Sequence, residues 1–363
     1  MRKIIADVII FSASGFTGKH VVEEFVCNSK LRIALAGRNT NRIKQVNSHL
    51  KNLDKYQFIK ADVTNWTSLL NMCSQGQLLV NCVGPYKFYG EPVIKACIMK
   101  GCDYIDVCGE PEFSEEIELK YHKEAVEKGV FVIGSCGFSG LPTELGLKFM
   151  RESFKGTLIS CECFIKVCAG KEGYKLNYPT YQSTVWSLAS SKQLSKLRKN
   201  LPNMNYCGPE IPKRGKYFWR DSDNSHYVPY SAADSSIVKR SQRWNQIHLN
   251  SIPIRFSTNI CIGGSTNVIR YLLFDWILHR FSKNSLGRYL LEKFHPLITF
   301  GYISKKGPTR SQINTTSTTI TFEGVGYTEP SSKKEKATSN IVACVSMPDP
   351  GYRGHLSWFW KVP

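Results

Sequence analysis

The sequence is poor in acidic side chains and lacks the motifs of secreted or zinc-binding proteins. Its 29 Asp and Glu residues face 48 Lys and Arg residues, which gives a formal net charge of +19 and favours anionic partners. No basic segment precedes a short apolar block and a cleavage site, so we expect no secretory signal. The thirteen cysteines include no CxxC pair and no Cys/His cluster at zinc spacing, which predicts reduced thiols and no metal site.

Basic residues are concentrated at 192–200, 213–220 and 238–244. These clusters lack a recognisable nucleic-acid-binding motif, and aromatic residues do not recur among them at regular intervals. We therefore expect no nucleic-acid partner. A solvated basic face explains them equally well, as does contact with nucleotides or an acidic lipid surface.

A chain of 363 residues is long enough for two domains with separate cores. Through residue 140, short apolar runs alternate with amphipathic stretches. This rhythm is typical of an α/β, Rossmann-type parallel sheet covered on both faces. Strands are predicted at 7–11, 32–36, 57–60, 78–82, 104–108 and 130–134, and helices at 16–27, 40–51, 66–74, 90–100 and 114–128.

The rhythm changes after about residue 150. The run at 158–167 alternates strictly between its two faces, which predicts a half-buried strand. Further strands are predicted within 252–262, 316–324 and 341–345. We therefore expect a Rossmann domain over 1–142 and an α+β domain with a mixed sheet over 143–350.

Two amphipathic pieces at 266–281 and 286–300 lie between the predicted strands of the second domain. The first is too polar to span a bilayer comfortably. Basic and aromatic residues on both pieces are typical of helices that lie in a membrane interface. A core helix pair or a contact in a homodimer is the alternative. The apolar stripe of the first piece consists of Ile269, Leu272, Leu273, Trp276 and Ile277.

The segment IIFSASGFTGKHVVEEF at 9–25 joins a predicted strand to a predicted helix through a turn of small residues. Such a turn places main-chain N–H groups and a helix N-terminus where they bind a pyrophosphate. Gly15 allows the close approach of the phosphate, Gly18 allows the helix to pack on the strand, and Ser12 occupies the position of the usual first glycine. Ser14, Phe16 and Thr17 complete the predicted cofactor contacts of this turn.

The ends of the next strands predict the rest of the cofactor site, because parallel strands bind ligands at their carboxyl ends. Arg38 stands where NAD-binding proteins carry an acidic residue that binds the ribose. A guanidinium there suits a 2′-phosphate and favours NADP, with NAD as the alternative. The remaining predicted contacts are Asp62 and Val63 at the adenine and Cys82, Val83 and Gly84 at the nicotinamide-side ribose.

The motifs SASGFTGKHVVEE, ALAGRN, LVNCVGPYKFYGEPVIKACI and YIDVCGEPEF together resemble the saccharopine dehydrogenase-like oxidoreductases of animals. The resemblance implies an NADP-binding Rossmann domain joined to an α+β domain. It also implies association with lipid droplets or membranes through an apolar helical segment, here 260–300. The predicted reduced thiols favour the cytosolic side. A link to glycolipid synthesis is suggested for the family, whereas its substrate, a small molecule or a lipid-like compound, does not follow from the resemblance.

The chain departs from the family pattern at three places. Ser12 replaces the first glycine, and Ser139-Gly140 stands where relatives commonly carry Asp-Ser. Relatives continue after PDPGY with a helix and a return segment, whereas 351–363 is an atypical, shortened tail. We expect a loss of stability or activity if the segment present in relatives packs on the first domain.

Hydride transfer requires a group that supplies or accepts a proton near the cofactor. Tyr86, Asp106 and Glu110 follow the fourth and fifth predicted strands and are the candidates. Each of them is equally well explained as a helix cap or a core residue. The sequence therefore supports two hypotheses: an NADP-dependent oxidoreductase at a lipid surface, or a lipid-surface scaffold that keeps the nucleotide fold without turnover.

Overall fold

The structure is a computed structural model that describes residues 4–230, 233–328 and 339–353. Its amino-terminal domain has six strands, β1 (Ala6–Phe11), β2 (Ile33–Gly37), β3 (Gln57–Lys60), β4 (Gly76–Asn81), β5 (Asp103–Asp106) and β6 (Val132–Ile133). They form one parallel sheet in the order β3-β2-β1-β4-β5-β6. This is the strand order of dinucleotide-binding Rossmann domains, and it confirms the predicted α/β domain.

Five helices cover the two faces of this sheet. β2 is an uninterrupted apolar run, and β1 is apolar apart from Asp7, because both faces of these strands are buried under helices. Gly101 and Gly129 end the last two helices in the left-handed conformation, which glycine adopts without steric cost. The helices are α1 (Phe16–Asn28), α2 (Thr40–Val46), α3 (Trp66–Cys73), α4 (Tyr86–Lys100) and α5 (Pro111–Lys128).

The second domain contains a mixed six-stranded sheet, as predicted. Its order is β14-β13-β7-β11-β10-β9, and only the central β7–β11 pair is parallel. The strands are β7 (Thr157–Cys168), β9 (Phe218–Arg220), β10 (Ser225–Pro229), β11 (Arg255–Gly263), β13 (Ser317–Tyr327) and β14 (Ser339–Pro348). A separate short pair joins β8 (Leu176–Asn177) to β12 (Ile303–Ser304).

Two helices of the second domain cover one face of the mixed sheet. α6 (Leu141–Ser153) and α9 (Ala233–Leu249) bury Met150 and Val238 against Cys161, Cys163 and Phe322 of the strands. The loop 134–140 therefore connects the domains, and the predicted boundary at 142/143 falls inside the first turn of α6.

A smaller helical layer completes the second domain. It comprises α7 (Tyr178–Ala189), α8 (Ser191–Lys199), α10 (Ser265–Phe281), α11 (Ser285–Lys293), α12 (His295–Ile298) and α13 (Arg310–Thr315). Tyr181, Val185 and Leu278 form the core between α7 and α10. Within the described ranges, none of the helices combines the length and the apolar character that crossing a bilayer requires.

All thirteen cysteines lie in the described residues as free thiols. Most of them are buried or half-buried, as reduced core residues are. No group of three His, Cys, Asp or Glu residues in the described ranges is arranged to hold a metal ion. The predicted tail begins at 351, but its residues 354–363 lie outside the described ranges.

Candidate cofactor site

The β1–α1 turn brings the main chain of Ser12 against the first turn of a helix. Ser12 has a φ of 66°, the left-handed conformation that the first glycine of a dinucleotide-binding turn normally adopts. The N–H of Gly15 donates to the carbonyl oxygen of Ser12 over 2.8 Å. A Cβ atom on Gly18 would lie 2.0 Å from that same oxygen, so only glycine fits at position 18.

The amino-terminus of α1 is available to an anion. Gly15 occupies the N-cap position, and no side-chain oxygen of the described residues accepts from the first N–H groups of the helix. Free N–H groups at the start of a thirteen-residue helix form the site at which Rossmann domains bind a pyrophosphate. A Cβ on Gly15 would lie 2.6 Å from the Ser12 hydroxyl oxygen, so a larger residue at position 15 would displace the Ser12 side chain.

Arg38 is exposed directly after β2. The hydrogen bonds that the nearby Asp62 accepts from the N–H and hydroxyl of Thr64 lower the pKa of Asp62; burial opposes this effect, and the charge of Arg38 adds to it. Asp62 therefore stays ionised at the end of β3. Beside Arg38, the α2 surface forms an open depression of about 650 Å³ that Asn39, Arg42 and Gln45 help to line. The arrangement suits a 2′-phosphate at Arg38.

The β4–α4 loop lies at the same edge of the sheet. The N–H of Cys82 donates to the carbonyl oxygen of Phe11, over 3.1 Å, and so ties this loop to the end of β1. The Asn81 side chain accepts from the N–H of Val83 over 3.0 Å. Burial raises the pKa of Cys82 to about 12, so the thiol stays neutral, while Gly84 keeps the main chain accessible.

The structure therefore brings the predicted cofactor contacts to one edge of the sheet. All of them follow the carboxyl ends of β1, β2, β3 and β4, where open parallel sheets bind nucleotides. Phe16 differs from the expectation, because its ring points to the second domain. It packs against Tyr352, with 4.8 Å between ring centroids, and a Cβ on Gly307 would lie 2.6 Å from it.

Tyr86 holds two strand ends together. Its side chain is only 6% exposed, and its hydroxyl donates to the carbonyl oxygen of Asn81 over 2.8 Å. Burial, followed by the nearby Asp106 carboxylate, raises the pKa of Tyr86 well above its usual value. The hydroxyl therefore serves a structural hydrogen bond.

Asp106 is buried at the end of β5 and supports the loop after β6. Its carboxylate accepts from the N–H of Cys108 over 2.9 Å, the N–H of Ser135 over 2.7 Å, and the hydroxyl of Tyr104 over 2.8 Å. Burial raises its pKa, and these hydrogen bonds partly offset that effect. Its oxygens are therefore occupied by the protein itself.

Glu110 caps α4 and connects the two domains. Its two oxygens accept from the N–H groups of Tyr86 and Lys87 over 3.0 and 2.9 Å, which satisfies two free donors at the start of that helix. The hydroxyl of Ser183 in α7 donates to the same carboxylate over 2.7 Å. The structure thus gives Tyr86, Asp106 and Glu110 structural roles.

Ser135, in the loop after β6, is a residue that the sequence did not single out. It is buried with a φ of 62°, and its hydroxyl has no hydrogen-bond partner among the described residues. Strained backbone of this kind is frequent at functional sites. No sequence signal marks it, because the conformation depends on Asp106, 29 residues away.

Three features of the first domain define the fold of a dinucleotide-binding oxidoreductase: the strand order, the β1–α1 turn with Gly15 and Gly18, and the cation after β2. The second domain contains the mixed sheet. Residues 8–133 match the saccharopine dehydrogenase NADP binding domain family. A relative that is 38% identical over 95% of the chain shows that the chain belongs to the saccharopine dehydrogenase-like oxidoreductase family. The residues of the turn fit NADP, which the amino-terminal domain binds.

The similarity to relatives of this family extends over most of the chain. The saccharopine dehydrogenase-like oxidoreductase of Rattus norvegicus is 38% identical over 363 residues, which cover 95% of this chain and 85% of that protein. A protein of Caenorhabditis elegans named lipid droplet localized protein is 33% identical over 367 residues, with coverages of 95% and 85%.

A solved structure confirms the fold. Saccharopine dehydrogenase (L-Glu forming) of Saccharomyces cerevisiae superposes with a TM-score of 0.55 at 14% sequence identity, covering 97% of this chain and 88% of that one. At that identity the similarity concerns the architecture of both domains and not the reaction.

Proposed function

We propose that the protein is an NADP-dependent oxidoreductase that works at the cytosolic surface of lipid droplets or membranes on a small-molecule or lipid-like substrate. The observation that carries the enzymatic part is the β1–α1 turn, where Gly18 lets α1 pack against Ser12 and the first N–H groups of α1, which no described side chain caps, stay free for a pyrophosphate. When bound, NADPH supplies the hydride. The chain itself contributes the main-chain amides of the turn and the Arg38 guanidinium, which orient the coenzyme.

An exposed apolar surface supports the lipid-associated part. Trp276 of α10 is 62% exposed and Leu297 of α12 is 77% exposed. A concentration of exposed apolar side chains in one helical segment favours binding to another protein or to a membrane. We call this set the apolar face; its members are Ile269, Leu273, Trp276, Leu286, Tyr289, Leu297 and Phe300.

Basic side chains accompany the apolar face. Arg270, Arg280, Lys283 and Lys293 are all exposed on or next to the same helices. Apolar side chains flanked by cations are the composition of a segment that lies in the interface of an anionic lipid layer. The name of the worm relative, which refers to lipid droplets, agrees with this proposal.

A panel of aldehydes, ketones and imines, both soluble and lipid-like, tests the enzymatic proposal. Full-length protein and NADPH are incubated with each compound, with and without vesicles, and the loss of NADPH absorbance is followed. We expect turnover of at least one lipid-like compound, increased by vesicles. Absence of turnover on the whole panel, with NADPH bound, would favour the second candidate.

That second candidate is a lipid-surface scaffold without turnover. It is favoured by one observation, namely that the polar atoms of Tyr86, Asp106 and Glu110 are all used in structural hydrogen bonds. A role in glycolipid metabolism and a homodimer that covers the apolar face are further predictions. Sedimentation in lipid-free buffer distinguishes a dimer from a monomer.

A further inference from the structure

A second cavity, of about 230 Å³, lies where the first domain meets the second. Glu115 of α5 lines it on one side, Arg198 of α8 on another, and Ser236, Lys239 and Arg243 of α9 on the third. None of its lining residues belongs to the strand ends of the cofactor site. Pockets for drug-sized ligands have volumes of roughly 300 Å³ or more. This cavity is smaller, so a whole dinucleotide does not fit into it.

Two of the cations at this cavity are neutralised by acidic partners. Arg198 makes a bidentate ion pair with Glu115. Its shortest contact joins Nη2 of Arg198 to Oε1 of Glu115 over 2.6 Å. The Glu115 side chain is 5% exposed, and the hydroxyl of Ser236 also donates to it. Arg240 pairs with Glu118 on α5.

Two other cations have no acidic partner in the part of the chain that the structure describes. Lys239 is half-buried, and its amine makes no hydrogen bond or ion pair with any described residue. Arg243 donates to the carbonyl oxygen of Pro202 over 3.2 Å and pairs with no described acid. Burial, followed by the charge of Arg198, lowers the pKa of Lys239; the Glu115 carboxylate opposes this effect, and the charge of Arg243 adds to it. Glu115 is already bound by Arg198 and Ser236, so a further anion would stabilise the half-buried amine beside these guanidinium groups.

We propose that this cavity binds a phosphomonoester. A terminal phosphate carries about −1.5 to −2 charges at neutral pH, which matches the two unpaired cations, Lys239 and Arg243. Guanidinium groups bind phosphate oxygens in a two-pronged manner, and an ammonium group adds a compact charge. Met204 and Tyr206 line the remaining wall and suit the carbon atoms that bear the phosphate.

The phosphate belongs either to a free phosphorylated metabolite or to a lipid headgroup with a terminal phosphate. Glycerol 3-phosphate represents the first source. Phosphatidylcholine vesicles with and without phosphatidic acid represent the second. The full chain is kept saturated with NADPH in both arms, so that the probe does not occupy the 2′-phosphate position at Arg38.

Calorimetric and vesicle-binding titrations compare the wild type with Lys239→Met, which keeps an unbranched side chain and removes its charge. Lys216→Met is the control, because Lys216 is exposed elsewhere and its loss changes the net charge equally. We expect saturable binding of at least one probe, weakened at least tenfold by Lys239→Met and less than twofold by Lys216→Met.

Thermal unfolding without a probe separates lost binding from lost folding. Since Lys239 lies among guanidinium groups, we expect Lys239→Met to unfold at the wild-type temperature or above it. Binding of glycerol 3-phosphate identifies a metabolite site, and a response to phosphatidic acid vesicles alone identifies a headgroup site. Equal affinities of the two variants, or no saturable binding of either probe, would overturn the proposal.

Discussion

Ser12 shows what a motif can and cannot predict at the scale of one residue. The spacing of Ser12, Gly15 and Gly18 placed the phosphate turn correctly between β1 and α1. It did not reveal that a serine takes the left-handed conformation, with a φ of 66°, where glycine is usual. The contact between the Ser12 carbonyl oxygen and α1 fixes this geometry, and such a contact exists only in the folded chain.

The sequence predicted less about Tyr86, Asp106 and Glu110. Their position after β4 and β5 could be predicted from the sequence, but their hydrogen-bond partners could not. Glu110 caps a helix that begins 24 residues earlier in the chain and accepts from Ser183, 73 residues later. Periodicity and spacing describe neighbours along the chain, so contacts over such separations escape them.

Arg38→Ala should weaken the binding of NADPH more than that of NADH. A charge-assisted hydrogen bond to a phosphate contributes roughly 1.5–3 kcal/mol, so we expect a loss of about 10- to 100-fold for NADPH. NADH lacks the 2′-phosphate and should lose less than about threefold. The enhancement of nicotinamide fluorescence on binding measures both coenzymes.

Lys51→Ala is the matched control for Arg38→Ala. Lys51 is exposed in the α2–β3 connection, and its loss removes the same charge without touching the strand end. The control should bind both coenzymes as the wild type does. If Arg38→Ala weakens NADPH and NADH equally, Arg38 does not bind the 2′-phosphate.

At the scale of elements, the periodicity of apolar residues predicted which segments are strands and helices better than it predicted where they end. β3 was predicted with its observed bounds, 57–60. α4 begins at Tyr86 and not at residue 90, because Glu110 supplies a cap from another element. α2 ends at Val46 and not at residue 51, because the buried Asn47 side chain donates to the carbonyl oxygens of Ala13 and Ile43.

α10 was predicted as a helix, but the sequence did not show which of its sides meets the core. Leu272 and Ile277 of the predicted stripe are half-buried, whereas Ile269, Leu273 and Trp276 are exposed. The helix carries apolar side chains around its circumference, so its periodicity does not show which side meets the core. Contacts with α7 and α11 decide it.

Trp276→Asp should reduce binding to lipid. Transfer of a large apolar side chain from water contributes roughly 1.5–3 kcal/mol, and a carboxylate opposes an anionic lipid surface. We therefore expect the fraction of protein that floats with anionic vesicles to decrease by about tenfold or more.

Trp244→Asp is the control for this flotation experiment. Trp244 is 50% exposed on α9, outside the apolar face, so the substitution changes size and charge in the same way. It should float as the wild type does. Equal flotation of Trp276→Asp and the wild type would remove α10 from the lipid contact.

At the scale of the whole molecule, contacts between the domains position the site, and the sequence did not indicate them. Arg310 of α13 pairs with Glu23 of α1 over 2.7 Å, and Lys87 of α4 donates to Ser190 over 2.5 Å. An edge-to-face contact between Phe16 and Tyr352 joins the domains at the phosphate turn. The two-domain organisation could be predicted because the alternation of apolar runs and amphipathic stretches ends near residue 150. The relative placement of the domains depends on these pairs.

Glu144 of α6 should make the stability of the protein depend on pH. Burial raises the pKa of its carboxyl to about 7 from an ordinary 4.5. Since the folded state holds the proton more tightly, the destabilisation is fully present above pH 7 and disappears as the pH falls towards 4.5. Glu144→Gln should therefore stabilise the protein by roughly 1–2 kcal/mol at pH 8 and by much less at pH 5.

Denaturant unfolding at the two pH values measures this difference. Glu152→Gln is the control, because Glu152 lies exposed on the same helix and, among the described residues, pairs only with Lys148 across one turn. Its effect should stay within about 0.5 kcal/mol at both values. A stabilisation by Glu144→Gln that does not change between pH 8 and pH 5 would contradict the buried, proton-binding carboxyl.

The central claim is that the turn after β1 and the cation after β2 hold NADPH. Calorimetric titration of each coenzyme into the purified full-length protein tests it most directly. The account predicts one saturable site that binds NADPH at least tenfold more tightly than NADH. Saturation by neither coenzyme would contradict it.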